Sequence, residues 1–496
     1  MQLLGYDVGS SSVKACLLDA GNGKVIASAF SPESELEIQS PQKGWAEQDP
    51  DVWWEHLKKA TAKVLNQNAA LPDEIGGIGI SYQMHGLVLV DEQQNVLHPA
   101  IIWCDGRAVE IGEKAFDALG PEYCLEHYLN SPANFTASKL RWIREHKPDV
   151  FDKIHKAMLP GDYIAMRMSG AIKTSISGLS EGIFWDYKSS DIAYKLLDHY
   201  GISAELLPEY DPNFSVSGEL NNKAAEELGL RSGVPIGYRA GDQPNNALSL
   251  NVLDPGEVAA TAGTSGVIYG VTDKPIYDDK SRVNTFVHVN NEQGQPRYGV
   301  LLCINGTGIQ NSWLKNKLFN GQYSYDRMNE LAAELPVGAE GVVVLPFGNG
   351  PERVLENRNI GGLLRNVNFN IHGDAHIMRA AQEGIAFSLS YGLQVMREMG
   401  MDIDTIRVGS DNMFQSPLFR EAFTNTTGAT VELYDSNGAL GAAIGAGLGT
   451  GIFKTREEAF RNLEKIATLT PDARKQEAYQ RSYETWNNVL EKELDF

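Results

Sequence analysis

At 496 residues the chain is too long for one hydrophobic core, which excludes a single small domain. Its 42% apolar and 22% charged residues are those of an ordinary globular protein and exclude a disordered or fibrous chain. A formal charge of −21 and four scattered cysteines argue against a nucleic-acid partner, a disulfide scaffold and a paired-cysteine zinc site.

Taken in chain order, residues 2–30 predict a β-meander. Leu3-Leu4 opens the first strand, Val13–Leu18 the second and Val25–Phe30 the third, with Ala20-Gly21-Asn22-Gly23 as a tight turn. The chain thus runs directly into a strand, with no signal-peptide pattern, and a cytoplasmic protein with no membrane partner is expected. Asp49-Pro50 predicts a helix start, and Trp53, Trp54, Leu57, Ala60, Thr61 and Val64 recur near a 3.6-residue period. Ile75–Val90 is β-rich and broken at Tyr82-Gln83-Met84-His85-Gly86. Residues 105–240 read as mostly helical, with helices near Arg107–Leu119, Ser138–Glu145 and Ala193–Tyr200. A short strand over Val234–Ala240 then runs into Gly241-Asp242, which places the domains at 1–241 and 242–496. Beyond it, strands at Tyr298–Ile304 and Gly341–Pro346 alternate with helices at Ile309–Lys317 and 374–398. The run Val342–Phe347 is too short to cross a bilayer. The Gly/Ala run 438–451 predicts a helix whose backbone packs closely on a neighbour rather than a ligand loop. Strands alternating with helices mean an α/β architecture.

One turn occurs twice. Gly9-Ser10-Ser11-Ser12-Val13 and Gly263-Thr264-Ser265-Gly266-Val267 align Gly9 with Gly263, Ser10 with Thr264, Ser11 with Ser265 and Val13 with Val267. A strand–turn–strand with glycine and hydroxyl residues at its tip offers backbone N–H groups to phosphate oxygens, which is how an acidic chain can attract an anion locally. Only the first copy carries a carboxylate, Asp7, suited to hold Mg²⁺ through water. Lys14 returns along the next strand towards the same place. Either turn alone could be an ordinary hairpin; their repetition in matched context favours one nucleotide held between two related domains. No GxxxxGK[ST] or GxGxxG follows a strand.

Asp242 sits after a strand at the expected cleft, either as a base for an alcohol nucleophile or as a helix N-cap. His85 reads as a core histidine or a ligand contact, and Trp103 as packing or a pocket wall. Asp105 and Arg107 are spaced to pair on the surface.

Together and in order, Gly5–Lys14, Trp45–Pro50, Gln83–Gly86, Ile101–Arg107, Gly161-Asp162-Tyr163, Gly241-Asp242-Gln243, Gly263–Gly266 and Gly438–Ala442 resemble the FGGY family of carbohydrate kinases over nearly the whole chain. The resemblance implies two actin-like (RNase H-like ATPase) domains with an interdomain active-site cleft, where ATP and a small-molecule sugar meet. Met84-His85 resembles the family type that takes a pentulose, which implies phosphorylation of D-xylulose at its 5-hydroxyl. The alternatives are another ketose or polyol (ribulose, fuculose, rhamnulose, gluconate, glycerol), or a non-catalytic sugar or nucleotide sensor. By the same resemblance Asp242 would be the general base, with Met84, His85, Trp103, Asp242 and Gln243 lining the sugar pocket. Asp7 would organise Mg²⁺, and Ser10, Ser11 and Lys14 would face the transferred phosphate. Gly263, Thr264, Gly306 and Gln310 would hold the nucleotide. Gly409-Ser410-Asp411-Asn412 stands where many members carry Gly-Gly-Gly-Ala, so the contacts of Ser410 and Asp411 with adenine are expected to differ. Gly350-Pro351-Glu352-Arg353-Val354-Leu355 likewise replaces Gly-Glu-Arg-x-Pro with a shifted proline. A homodimer is the expected assembly.

Overall fold

The computed structural model describes residues 1–67 and 70–495. Two twisted sheets organise them. The first contains Gln2–Val8 (β1), Val13–Asp19 (β2), Val25–Ser31 (β3), Ile75–Tyr82 (β4) and Ile236–Gly241 (β5), in the order β5-β4-β1-β2-β3. The β1–β2 and β2–β3 pairs are antiparallel, while β4 and β5 join in parallel. The second contains Val258–Ala262 (β6), Gly266–Thr272 (β7), Asn284–Val287 (β8), Tyr298–Ile304 (β9), Thr405–Gly409 (β10), Thr430–Tyr434 (β11) and Lys465–Leu469 (β12), ordered β8-β9-β7-β6-β10-β11-β12. Without the edge strands β8 and β12, its order β9-β7-β6-β10-β11 repeats β3-β2-β1-β4-β5, with the same mixture of antiparallel and parallel pairs. This is the two-domain, actin-like α/β fold, and the doubled turn marks equivalent β1–β2 and β6–β7 corners.

The ladders correct one detail of the repeat. Asp7 faces Lys14 across the first corner, and Thr261 faces Val267 across the second. The second turn is one residue shorter, so the structural counterpart of Val267 is Lys14 rather than Val13.

Helix Pro50–Leu65 (α1) begins where Asp49 caps it through the Asp51 N–H and buries Trp53, Trp54 and Leu57 against one face of the first sheet. Asp242–Ser249 (α2) follows β5 directly. Gly308–Trp313 (α3) is shorter than the periodicity of 309–317 predicts, because Leu314–Leu318 winds on as a π-helical turn. Asp374–Glu398 (α4) buries Ile385, Leu389 and Leu393 with Val258, Ile268 and Leu302 of the second sheet.

Gly438–Gly449 (α5) is the Gly/Ala helix, and it lies on the other face of the first sheet, with Leu3 and Tyr238 among the side chains it covers. Its small residues bring backbone to backbone: a Cβ on Gly5 would lie 2.1 Å from the Ala439 carbonyl oxygen, and one on Gly79 would lie 1.9 Å from that of Ala442. A helix from the end of the chain thus completes the core begun by its first strands. Among the described residues no helix is long and apolar enough to cross a membrane.

Candidate active site

The first corner is rigidly built. Gly9 N–H donates to the Ser12 carbonyl at 3.0 Å and closes the turn. Asp7 and Lys14 are directly opposed on β1 and β2, with Nζ 3.7 Å from Oδ2, and Ser81 Oγ donates to Asp7 Oδ1 at 3.0 Å. The Gln48 amide donates to the Ser10 carbonyl at 2.7 Å and Trp103 Nε1 to Ser10 Oγ at 3.3 Å, so the proposed sugar wall touches the proposed phosphate turn. Ser11 is exposed. A Cβ on Gly438 would sit 2.8 Å from Asp7 Oδ2, so the N-terminus of α5 abuts this carboxylate.

β4 ends at Tyr82, and the following turn lifts His85 into a left-handed conformation, φ 60°. That geometry is uncommon for a residue with a Cβ and needs support. Glu181 supplies it: its carboxyl accepts from His85 N–H at 3.2 Å, and its carbonyl accepts from His85 Nδ1 at 2.9 Å. Nδ1 therefore carries the proton and Nε2 is left as an acceptor. Burial, with the Lys139 and Arg353 cations nearby, pulls the imidazole down to about 3, so it is neutral. Phe135 and Phe286 enclose the ring at centroid distances of 4.9 and 5.3 Å. Lys139 is itself buried, donating to the His85 and Ile102 carbonyls at 2.8 and 3.1 Å, and burial lowers it to about 8.

Met84 packs on the last residue of β5: a Cβ at Gly241 would lie 2.5 Å from Met84 Cγ and 2.6 Å from Glu181 Oε2. Asp242 is the first residue of α2, while Gly241 holds the cap position with no side-chain bond, so the N-cap alternative is not realised. Burial, reinforced by the Asp7 carboxylate, raises Asp242 to about 7, against the pull of Gln243 hydrogen bonds and Lys14. Asp7, Lys14 and Gln243 thus lie close to Asp242, and Met84 packs on the Gly241 that precedes it. Among the largest influences on each group, Asp242 feels Asp7 and Lys14, while His85 feels Lys139 and Arg353.

The second corner is assembled by backbone. Gly308 N–H donates to the Gly263 carbonyl at 2.8 Å and Ile309 N–H to that of Thr264 at 3.1 Å. Any side chain at Gly308 or Gly306 would collide, with Cβ positions 2.3 Å from the Gly263 carbonyl oxygen and 1.4 Å from that of Pro346. Gln310 is anchored to the Ala381 carbonyl of α4 at 3.2 Å. Asn412, at φ 51°, brings its amide to 3.7 Å from a Cβ built on Gly263, and Ser410 N–H donates to the Tyr434 carbonyl at 3.0 Å. Asp411 stands beside them; burial of its carboxyl group raises it and Lys14 opposes the shift.

Asp105 and Arg107 pair, but not at the surface. Both side chains are buried, the guanidinium also reaches Glu47 at 2.7 Å, and it stacks on Trp45 at 3.8 Å. Trp45 and Trp142 cover the pair from distant segments, which spacing alone does not reveal. Three further residues escaped sequence reasoning. Glu181 and Lys139 belong to no motif, and Arg353 was read only as part of a displaced element. Glu352 beside it is buried and turned away, both oxygens 3.1 Å from Asn305 N, and burial raises it to about 8.

Away from the cleft, Glu340, His372 and His376 bring donor atoms within 4.8 Å of one another, as a metal site could. Both histidines, however, accept backbone N–H bonds at Nδ1, from Asn368 and Gly373. Their protons are therefore on Nε2, the reverse of the arrangement a metal on Nε2 requires. The pair serves instead to close the loop and cap α4.

The model for the FGGY family of carbohydrate kinases, N-terminal domain, matches residues 2–249, and that for the C-terminal domain matches residues 258–449. Xylulose kinase of Bacillus subtilis is 28% identical over 98% of this chain and 96% of its own. L-xylulose/3-keto-L-gulonate kinase of Escherichia coli is 29% identical, again over 98% and 96%. The crystal structure of xylulose kinase from Rhodospirillum rubrum superposes with a TM-score of 0.85 at 26% identity, covering 99% of both chains.

Proposed function

Since the chain belongs to the FGGY family of carbohydrate kinases, we propose that it moves the γ-phosphoryl group of ATP to the 5-hydroxyl of D-xylulose. One arrangement supports this reading above all. Asp242 lies close to Asp7 and Lys14, and the glycine before it packs on Met84 of the Met84-His85 turn, which supports a base, a phosphate-facing cation and a sugar-reading imidazole acting on one substrate.

Asp242 would accept the hydroxyl proton as the O–P bond forms and the bond to ADP breaks. A carboxyl raised to about 7 is matched to that task near neutral pH, where a general base contributes ~10²–10⁴-fold. Holding the hydroxyl in line contributes further, with effective molarities worth about 7–11 kcal/mol in favourable cases. Ser10, Ser11 and Lys14 would meet the moving phosphoryl group. Gly263 and Thr264 would hold the phosphates left behind, with Gly306, Gln310, Ser410 and Asp411 on the nucleoside side.

The residues fit Mg²⁺. Asp7 Oδ1 is engaged by Ser81 while Oδ2, among the described residues, makes no hydrogen bond closer than the 3.7 Å approach of Lys14, and the repulsion that Asp7 exerts on Asp242 is what a divalent cation would relieve. Bound there, Mg²⁺ would neutralise charge on the β- and γ-phosphates. A cytoplasmic setting and a homodimer belong to the same proposal.

ADP release against a panel of ketopentoses, ketohexoses, sugar acids and polyols tests it. The L-xylulose and 3-keto-L-gulonate named for the 29% relative belong in that panel. D-xylulose should give the highest kcat/KM. No ADP above background with any pentulose would overturn the reading, and sugar binding without any turnover would favour the sensor.

A further inference from the structure

Arg353 is a half-buried cation with no ion-pair partner among the described residues. It lies on the second half of the chain, in the short 3₁₀ turn Arg353–Leu355, and its guanidinium reaches the first half, with Cζ 5.3 Å from the Phe135 ring. Phe135 in turn sets its edge on His85, and Arg353 is one of the two cations that disfavour protonation of that imidazole. Nη1 is buried and makes no hydrogen bond among the described residues. The neighbouring Glu352 carboxyl is spent on Asn305 N–H, and among the described residues Arg353 joins no ion pair. Burial lowers the guanidinium to about 10, which still leaves it charged at neutral pH. A buried donor without an acceptor is costly, so Nη1 left in this state calls for a ligand acceptor.

Two groups of complementary chemistry therefore meet around the Phe135 ring. His85 Nε2 can only accept a hydrogen bond, and Arg353 can only donate. A hydroxyl beside a carbonyl matches this pair: the hydroxyl donates to the imidazole and the carbonyl accepts from the guanidinium. Resting on the kinase reading above, we propose that Arg353 binds the C2 carbonyl oxygen of the sugar, with the adjoining 1-hydroxyl on His85, and so selects an open-chain 2-ketose over the corresponding polyol. Chemistry requires such a form. Ring closure of a 2-pentulose consumes the 5-hydroxyl itself, so only the open chain, with its carbonyl free, offers that hydroxyl to ATP. A polyol places a hydroxyl where the carbonyl stood; its oxygen can still accept from the guanidinium, but its proton needs a further acceptor that a donor-only Arg353 does not supply.

Equilibrium titration of tryptophan fluorescence, without ATP, gives the Kd of D-xylulose and of xylitol for the full chain and for Arg353→Met and Arg353→Lys. Wild type should bind D-xylulose more tightly than xylitol. Arg353→Met should weaken D-xylulose by about 10- to 100-fold, the loss of one charged hydrogen bond, and change xylitol little, so the ratio collapses. Arg353→Lys, which keeps a cationic donor, should recover part of the preference. Equal weakening of both ligands, or no change in either, would overturn the assignment. So would a wild type that binds xylitol as tightly as D-xylulose, a result independent of whether either variant folds. A wild type that turns over D-xylulose yet shows no ketose preference sinks this inference alone. One that neither binds nor phosphorylates a pentulose sinks the kinase reading with it.

Discussion

The two corners of the molecule share a topology and differ in charge. At the first, Asp7 and Lys14 oppose each other across β1 and β2; at the second, Thr261 and Val267 occupy the same rungs of β6 and β7. In each repeat the outermost parallel strand then feeds a helix: β5 leads into α2 with Asp242 at its first position, and β11 leads to α5, whose Gly438 abuts Asp7. The two corners are equivalent in backbone, and the ionisable groups are concentrated on one. The lesson is that a repeated backbone motif identifies the ligand, while the residues that break the repeat identify the chemistry done to it.

That asymmetry can be broken experimentally. The largest effect is expected at Asp242. Asp242→Ala should lower kcat by ~100-fold or more while the Kd for ATP stays constant, as measured by steady-state kinetics and nucleotide titration. Turnover near wild type would remove the base from the charged corner. Gly79→Ala should be next, because its new methyl would lie 1.9 Å from the Ala442 carbonyl. Overpacking of this kind costs about 1–3 kcal/mol, so Tm should fall, and an unchanged Tm would mean that α5 can move away.

A subtler separation comes from pH. The Asp7 charge helps to raise Asp242, so Asp7→Asn should shift the acid limb of kcat/KM, expected near pH 7, to lower pH. A limb that stays in place would assign it to another group. Stability gives the sign check. A carboxyl whose folded pKa exceeds its unfolded value opposes folding once pH rises above the unfolded value, and does so in full above the folded one. Asp242→Asn should therefore raise Tm at pH 8 and leave it nearly unchanged at pH 4; the reverse order would contradict the burial of that charge. The smallest effect is expected at the neutral corner. Thr261→Asp gives the second turn the carboxylate of the first, and should raise KM for ATP several-fold by repulsion while the sugar KM stays level.

Much of this was legible in the sequence, and the reasons are local. The meander, α1, α4 and α5 follow from periodicity and punctuation carried within each segment. Asp7, Lys14, Met84, His85 and Asp242 each end a strand or line a turn, where motif and position coincide. Glu181 was not legible because its function is to support a turn almost a hundred residues earlier, with no spacing to announce it. Lys139 faces two carbonyls from the interior of a helix that reads as amphipathic. Arg107 was misplaced for the same reason: a short-range partner was visible, and the tryptophans that bury it were not.

The close seat of α5 on the first sheet also has a consequence for synthesis. The five strands of that sheet are complete once residue 241 has left the ribosome, yet the helix that covers their second face ends at Gly449. At ~5–20 residues per second, the intervening stretch of roughly 200 residues takes on the order of 10–40 s to make. Throughout that interval an apolar sheet face containing Leu3, Cys16 and Tyr238 waits for its cover. The nascent chain is thus a natural client for a chaperone, and truncation before residue 449 would leave the first domain unfinished even though every one of its strands is present.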